Sequence, residues 1–357
     1  MRMTVQVPGD GVTFVNTFTL SASPAEFEAA FARTSQYMAR QPGFIEHTLV
    51  RHTKDPGRYV NIARWRDAGS LQRAVARPEF LEHAAALRAL ASSDPQLYTP
   101  LRTVRAAPAE DGPVVVVTGG GTGIGRATAH AFAEQGARVL VVGRTPESLT
   151  GTAEGYGSIR TAVADLTTEG AAEEVVAEAL RVFGRIDVLV NNAAVALHGT
   201  LADHSRKHDE TQIATNLLAP IALTRAALEA LEASGGTVVN VSTSGSLGLR
   251  TWPGASVYGA SKVALDFLTR TWAVELAPRG IRVVGLAPGV VDSGIGVRMG
   301  MSQEQYAGFL AEMGSRAPAG RVGTPAEIGW WITQLARDEA GYANGVVVPV
   351  DGGLSLT

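Results

Sequence analysis

From Pro113 onward the chain alternates between two hydrophobic rhythms. The segments "PVVVV", "ARVLVVG", "IDVLVNNA", "GTVVNVS", "IRVVGLAPG" and "GVVVPVDGG" are valine-rich and apolar at consecutive positions. Parallel strands covered on both faces require that pattern. Between them "GIGRATAHAFAEQG", "AAEEVVAEALRVFG", "TNLLAPIALTRAALEAL" and "YGASKVALDFLTRTWAVEL" place apolar residues at helical spacing. This alternation predicts an α/β Rossmann-type doubly wound parallel sheet.

The first hundred residues follow another rhythm. "VTFVNTFTL" alternates like a half-buried strand, with Val12, Phe14, Phe18 and Leu20 on one face. Ser23 then starts a helix, with Pro24 at its first position and Glu26 completing a capping box. Phe27, Phe31 and Met38 continue an apolar stripe until "QPG" stops it. "GFIEHTLVRH", the turn "KDPG" and "RYVNIARW" predict a hairpin. One helix from Ser70 to Leu90 and a last strand in "QLYTPLRTVRA" complete a β-α-β-β-α-β order, the α+β ferredoxin-like plan. The Pro- and Gly-containing stretch "APAEDGP" reads as a linker. The expected domains are therefore 1–106 and 113–357, with 107–112 between them.

Composition narrows the class. The 357 residues suffice for two cores, and 45% hydrophobic with 18% charged residues describes an ordinary globular protein. A formal charge of −3 leaves no footprint for nucleic acid or an anionic membrane. No apolar stretch approaches the ~20 residues a membrane-spanning helix needs. With no cysteine there is no disulfide or thiolate metal site, and no metal site is expected. The start "MRMTVQVPGDGVTF" lacks a basic-then-apolar leader, and a cytoplasmic location is expected.

Two motifs carry chemistry. In "VVVVTGGGTGIG" a buried strand meets a helix N-terminus through glycines, gathering free backbone N–H groups where a pyrophosphate can sit. Gly119 permits the tight turn, Gly123 the close approach of phosphate, and Gly125 the packing of helix on strand. In "VYGASK", Tyr258 and Lys262 are four apart and share a helix face. A cation beside a phenol favours the phenolate and brings the group toward proton transfer. A lone Tyr-x-x-x-Lys is more often an amphipathic face, and here it is not alone.

"VTGGGTGIG", "NNAA" at 191–194, Asn216 in "ATNLLAP", the serines after "VVNV", "YGASK" and "APG" at 287–289 occur in one order. That set resembles the short-chain dehydrogenase/reductase family over about 113–357. The resemblance implies a catalytic tetrad of Asn216, a serine, Tyr258 and Lys262. Tyr258 would exchange a proton with the substrate oxygen, Lys262 would hold the nicotinamide ribose, and Asn216 would anchor a water in a proton relay. Gly119, Gly121, Thr122, Gly123, Ile124 and Gly125 would cradle the cofactor. Asp165 and Leu166 would flank the adenine, and Asn192 and Ala193 would line the cofactor. Pro288, Gly289 and Val291 would cover the nicotinamide, with Ser293 where the family usually has threonine. The tetrad hydroxyl is ambiguous: counting back from Tyr258 reaches Gly245, and counting forward along the strand reaches Thr243. Ser244 is the first choice, with Thr243, Ser242 and Ser246 as alternatives. Arg144 follows the second strand where NAD enzymes place an acid on the ribose 2′-OH, so a 2′-phosphate and NADP(H) are expected.

Residues 12–104 resemble the antibiotic biosynthesis monooxygenase family in strand order and in "YVNIARWRD" followed by "RPEFLEH". Members are usually dimers, and some oxidise aromatic polyketides without a cofactor through Asn and Trp side chains. Trp65 matches the family's strand tryptophan, and Asn16 and Asn61 are candidate amide partners, although all three could simply be core and edge residues. The family's common histidine on the following helix is missing. The joint expectation is an NADPH-dependent ketoreductase acting on a ketone or alcohol of a bulky, aromatic polyketide-like substrate. It should be a homo-oligomer, dimeric through the N-terminal domain and, as an alternative, tetrameric. Residues 292–320 would form a substrate lid, and Trp252 would line the pocket. The rivals are a bifunctional oxygenase–reductase and a non-catalytic NADP-sensing regulator.

Overall fold

The computed structural model describes residues 11–100, 112–249, 251–298 and 300–357. Its internal contacts divide the chain into Met1–Thr103 and Val104–Thr357. The expected linker 107–112, Gly112 apart, and the end of the last N-terminal strand lie outside the described residues.

The N-terminal unit has strands β1 (Val12–Leu20), β2 (Phe44–Arg51), β3 (Arg58–Trp65) and β4 (Ala91–Tyr98) in the antiparallel order β2-β3-β1-β4. This is the ferredoxin-like plan. Ser23 caps the helix Pro24–Ala39 reciprocally with Glu26, as the capping box requires. Phe18, Phe27, Phe31 and Tyr59 interlock beneath it, with ring centroids 5.0–5.9 Å apart.

Two expectations need correction here. The single helix over 70–90 is two, Ala68–Val75 and Pro78–Arg88. Pro78 lacks an N–H and pushes Arg77 into extended backbone (φ −74°, ψ 142°), so the first helix ends before it. The last strand begins at Ala91, not Gln96. As an edge strand with seven of its eight residues exposed, "ASSDPQLY" has no apolar alternation to betray it, and its Pro95 is tolerated only at an edge.

In the C-terminal unit strands β5 (Val114–Thr118), β6 (Arg138–Gly143), β7 (Ile159–Val163), β8 (Val188–Asn191), β9 (Thr237–Val241), β10 (Arg282–Pro288) and β11 (Val347–Val350) form one parallel sheet. Its order is β11-β10-β9-β8-β5-β6-β7. The chain leaves β5 toward β6 and β7 and returns to β8 on the other side. A crevice therefore opens at the C-terminal ends of β5 and β8, the switch point where such sheets bind ligands. Helices cover both faces with two separate apolar clusters, one centred on Val115, Val117 and Val141 and the other on Val116, Leu140 and Leu189.

One polar line crosses this valine-rich sheet. Asn191 Nδ2 on β8 donates to Asn240 Oδ1 on β9 (2.9 Å) and to Thr224 Oγ1 (3.1 Å), while Asn240 Nδ2 donates to Thr269 Oγ1 (2.9 Å). Among the described residues no helix is long and apolar enough to cross a membrane.

Candidate active site

The glycine turn sits between β5 and the helix Gly123–Glu134. Gly119 (φ +64°) and Gly123 (φ +53°) adopt left-handed backbone that disfavours side chains. A Cβ on Gly125 would fall 2.2 Å from the Gly119 carbonyl oxygen, so helix and turn can approach only through glycine. Thr118 Oγ1 accepts from the backbone N–H groups of Asn192 (2.9 Å) and Ala193 (3.0 Å), and Asn192 Nδ2 donates to the Thr118 carbonyl (2.8 Å). These bonds tie the turn to the loop after β8.

Arg126, overlooked in the sequence, wraps the turn from outside. Its guanidinium donates to the Gly121 carbonyl (2.6 Å) and the Ser148 carbonyl (3.2 Å). The available signal is its place directly after Gly125, at the opening of the helix. Arg144, exposed just past β6, lies close enough to Asp165 for its charge to help hold that carboxyl below the usual range; the larger cause is the Thr167 hydroxyl and N–H. Leu166 packs against the second apolar cluster.

Asn216 occupies a π-helical turn, Ala214–Leu218, of the kind that recurs at functional sites. Fully buried, it accepts from the Val195 N–H (2.9 Å) and donates to the Val195 carbonyl (2.8 Å) and Ser261 Oγ (3.2 Å). Tyr258 and Lys262 lie in the first half of the helix Ser256–Glu275. Lys262 is buried and donates from Nζ to the Val241 carbonyl (2.8 Å), and burial lowers its pKa to about 8. The expectation that this cation lowers the Tyr258 pKa needs correction. Burial dominates and pushes the phenol up to about 12, opposed only by a hydrogen bond with the Thr243 side chain.

That bond separates the four candidate hydroxyls. Thr243, half-buried, is the one bonded to the Tyr258 hydroxyl. Ser244, the first choice from sequence, is buried and bonded instead to Asp351, the carboxyl that shapes the C-terminal turn. Ser242 and Ser246 both bond Asp266. The forward count along β9 ends on Thr243, and the loop residues beyond it form the short helical segment Ser244–Leu249.

Around Tyr258 stand Trp252, edge-on with ring centroids 5.6 Å apart, and the exposed His198 at 6.4 Å. Trp252 packs where a Cβ on Gly245 would intrude to 2.3 Å, which explains the glycine. Beyond β10, Pro288 and Gly289 lead to Val291, which bridges to Gly323, and the Ser293 N–H donates to the Val291 carbonyl (2.8 Å). The expected lid contains the helices Ile295–Arg298 and Gln303–Arg316; buried Tyr306 anchors it by accepting from the Gly294 N–H (3.1 Å). The turn, with its positive-φ glycines and the N–H groups opening the helix Gly123–Glu134, fits a dinucleotide.

The N-terminal unit has a separate cavity of about 80 Å³ between sheet and helices, lined among others by Asn16, Asn61, Trp65, His47, Met38 and Phe80. Asn16 Oδ1, Asn61 Oδ1, Trp65 Nε1 and His47 Nδ1 are buried there without hydrogen-bond partners, and His47 Nε2 bonds Ser35 Oγ. His47 lies on β2, where its place in the hairpin gives no sign that its ring faces a cavity.

A family model described as enoyl-(acyl carrier protein) reductase matches residues 119–355, and one described as antibiotic biosynthesis monooxygenase matches residues 15–86. The chain is 35% identical over 251 residues to a 3-oxoacyl-[acyl-carrier-protein] reductase of Thermotoga maritima, covering 69% of this chain and 99% of the relative. Over 103 residues it is 52% identical to deoxynogalonate monooxygenase of Streptomyces nogalater, covering 29% of this chain and 87% of the relative. A solved short-chain dehydrogenase/reductase of unknown function from Caenorhabditis elegans, with cofactor, superposes with TM-score 0.66 at 35% identity, covering 70% of this chain and 97% of that one.

Proposed function

The chain belongs to the short-chain dehydrogenase/reductase family over its C-terminal unit and to the antibiotic biosynthesis monooxygenase family over its N-terminal unit, and from that premise we propose that it is an NADPH-dependent ketoreductase. The carrying observation is the Thr243–Tyr258 hydroxyl pair, with Thr243 just past the C-terminal end of β9, the neighbour of β8 in the sheet. A nicotinamide bound there would be the hydride source for the carbonyl carbon. Tyr258 gives its phenolic proton to the carbonyl oxygen, and the Thr243 hydroxyl donates to that oxygen as charge develops. Lys262 holds the ribose hydroxyls, and Asn216 fixes the loop at Val195 and anchors the water that replaces the Tyr258 proton. Arg144, with no acid beside it on β6, takes the 2′-phosphate. The aromatic wall of Trp252 and His198 favours a flat, polycyclic ketone. The test is Tyr258→Phe: NADPH binding should persist while kcat falls by about 10²–10⁴-fold. Retention of a tenth of the activity or more would remove Tyr258 from the role.

A second activity has its own support in the N-terminal cavity. Two amide oxygens and an indole N–H, all unpartnered among apolar walls, suit a ligand bearing hydroxyl donors and a carbonyl acceptor. In this reading an anthrone-type methylene itself supplies the electrons: one atom of O₂ ends in the new carbonyl and the other in water. The cavity is smaller than the ~300 Å³ of typical ligand sites, so the helix Pro78–Arg88, which buries only Leu87, must move outward to admit such a substrate. Oxygen uptake with an anthrone and no NADPH tests it.

The outer face of the N-terminal sheet presents Val50, Ile62 and Tyr98 to solvent at 41–52% exposure. A second copy packed on that face would give a twofold dimer. Light scattering on residues 1–106 reads this directly.

A further inference from the structure

Asp266 lies one turn beyond Lys262 on the helix Ser256–Glu275 and is buried, yet no step above uses it. Its Oδ2 is 2.6 Å from Ser246 Oγ, and the same Oγ is 2.6 Å from the Thr243 carbonyl oxygen. A hydroxyl has one proton to give. Were Asp266 ionised, the Ser246 hydroxyl could donate to the carboxylate or to the carbonyl, and the other pair of oxygens would be pressed together without a hydrogen between them. This holds even though the Ser246 N–H also donates to that carbonyl (3.1 Å) and Ser242 also bonds the carboxyl. A neutral carboxyl removes the conflict: Asp266 donates to Ser246, and Ser246 donates to the Thr243 carbonyl.

We propose that Asp266 is a protonated positioning residue that clasps the loop after β9 through Ser246 and so holds the Thr243 hydroxyl against Tyr258. The loop needs a clasp. It runs through the segment Ser244–Leu249, with Gly248 left-handed (φ +68°), before the chain reaches Tyr258. The groups acting on the carboxyl are Lys262 and Arg270 on its own helix and the hydroxyls of Ser242 and Ser246 on the loop; all favour ionisation, and burial outweighs them.

The catalytic consequence rests on the ketoreductase reading, but the protonated clasp does not, and two readouts separate them. In steady-state kinetics Asp266→Asn, whose amide can still donate to Ser246, should retain kcat within about threefold. Asp266→Ala and Ser246→Ala should each lose about 10²-fold in kcat, the scale of a small misplacement of a reacting group, with NADPH affinity unchanged. Equal damage in Asp266→Asn and Asp266→Ala, or undiminished kcat in the alanine variants, would overturn the clasp.

The second readout is thermal unfolding against pH. A carboxyl whose pKa is raised on folding costs nothing at acid pH, where both states are protonated, and costs progressively more as pH rises toward its folded pKa. Asp266→Asn never ionises, so its Tm should gain on the wild type as pH rises from 4 to 8. A constant gap would overturn the neutral carboxyl. A widening gap in a protein that reduces no ketone would instead retain the clasp and discard the ketoreductase reading.

Discussion

Asn16 and Asn61 stand directly opposite one another across β1 and β3, and the side-chain oxygen of each is buried without a hydrogen bond. Strand alternation puts both on the face that lines the cavity, beside the equally unpartnered Trp65 Nε1. Buried polar groups left unsatisfied cost roughly 1–3 kcal/mol each, so this cluster is a poor choice for a purely structural core. Asn61→Leu should therefore raise the stability of the fold by about 1 kcal/mol while abolishing oxygen uptake. Urea unfolding alongside an oxygen electrode checks both halves; a destabilised variant with intact uptake would return Asn61 to the core.

Thr243→Val should reduce kcat by about 10²–10³-fold, because one donor to the developing oxyanion is lost. Ser244→Ala should change kcat far less and instead loosen the C-terminal turn, since its hydroxyl serves Asp351. Kinetics of the pair, with NADPH affinity measured by nicotinamide fluorescence, decide between the two hydroxyls.

Arg144→Ala should weaken NADPH by about ten- to a hundredfold and leave NADH nearly unchanged, because only the 2′-phosphate contact is removed. Dissociation constants for both cofactors, in wild type and variant, are the check. A wild type that prefers NADH would refute the assignment.

Lys262 makes a pH signature. Its pKa falls from 10.5 to about 8 on folding, so below pH 8 the folded state carries a buried charge that the unfolded state keeps in water. That cost is fully present below pH 8 and is relieved as pH climbs toward 10.5, with an upper size of about 3 kcal/mol. Lys262→Met should thus be inactive yet more stable than wild type at pH 7, with the gap closing above pH 8. Calorimetric unfolding at pH 7 and pH 10 would expose the trend or its absence.

The periodicities that were plain in the sequence are those made by burial. Valine runs became the interior strands β5, β6, β8 and β9 because both sheet faces are covered, and Ser23 with Glu26 marked a helix start that needs only local bonds. β4 escaped because an exposed edge imposes no apolar rhythm. The break before Pro78 was legible in principle, and the apolar stripe running across it concealed it. The hydroxyls of Ser242, Thr243, Ser244 and Ser246 could not be ranked from sequence because they differ only in which distant partner each meets: Tyr258, Asp351 or Asp266. The orphaned atoms of the N-terminal cavity, likewise, exist only once the strands are paired.

The line of amides through Asn191 and Asn240 bears on how the sheet finds its alignment. Strands made of "VVVV", "VLVV" and "VVNV" are nearly interchangeable under a slip of two residues, since each valine would simply meet another valine. Only one alignment brings Asn191 beside Asn240 and within reach of Thr224 and Thr269. Every slipped pairing would break the Asn191–Asn240 bond and leave both amides with fewer partners in hydrocarbon than the one unpartnered oxygen, Asn191 Oδ1, of the observed pairing. The line therefore acts as a vernier for the β8–β9 pairing. Replacing both asparagines with leucine would preserve the greasy interior while removing the mark by which neighbouring strands are measured, and the refolding chain would be expected to populate off-register traps.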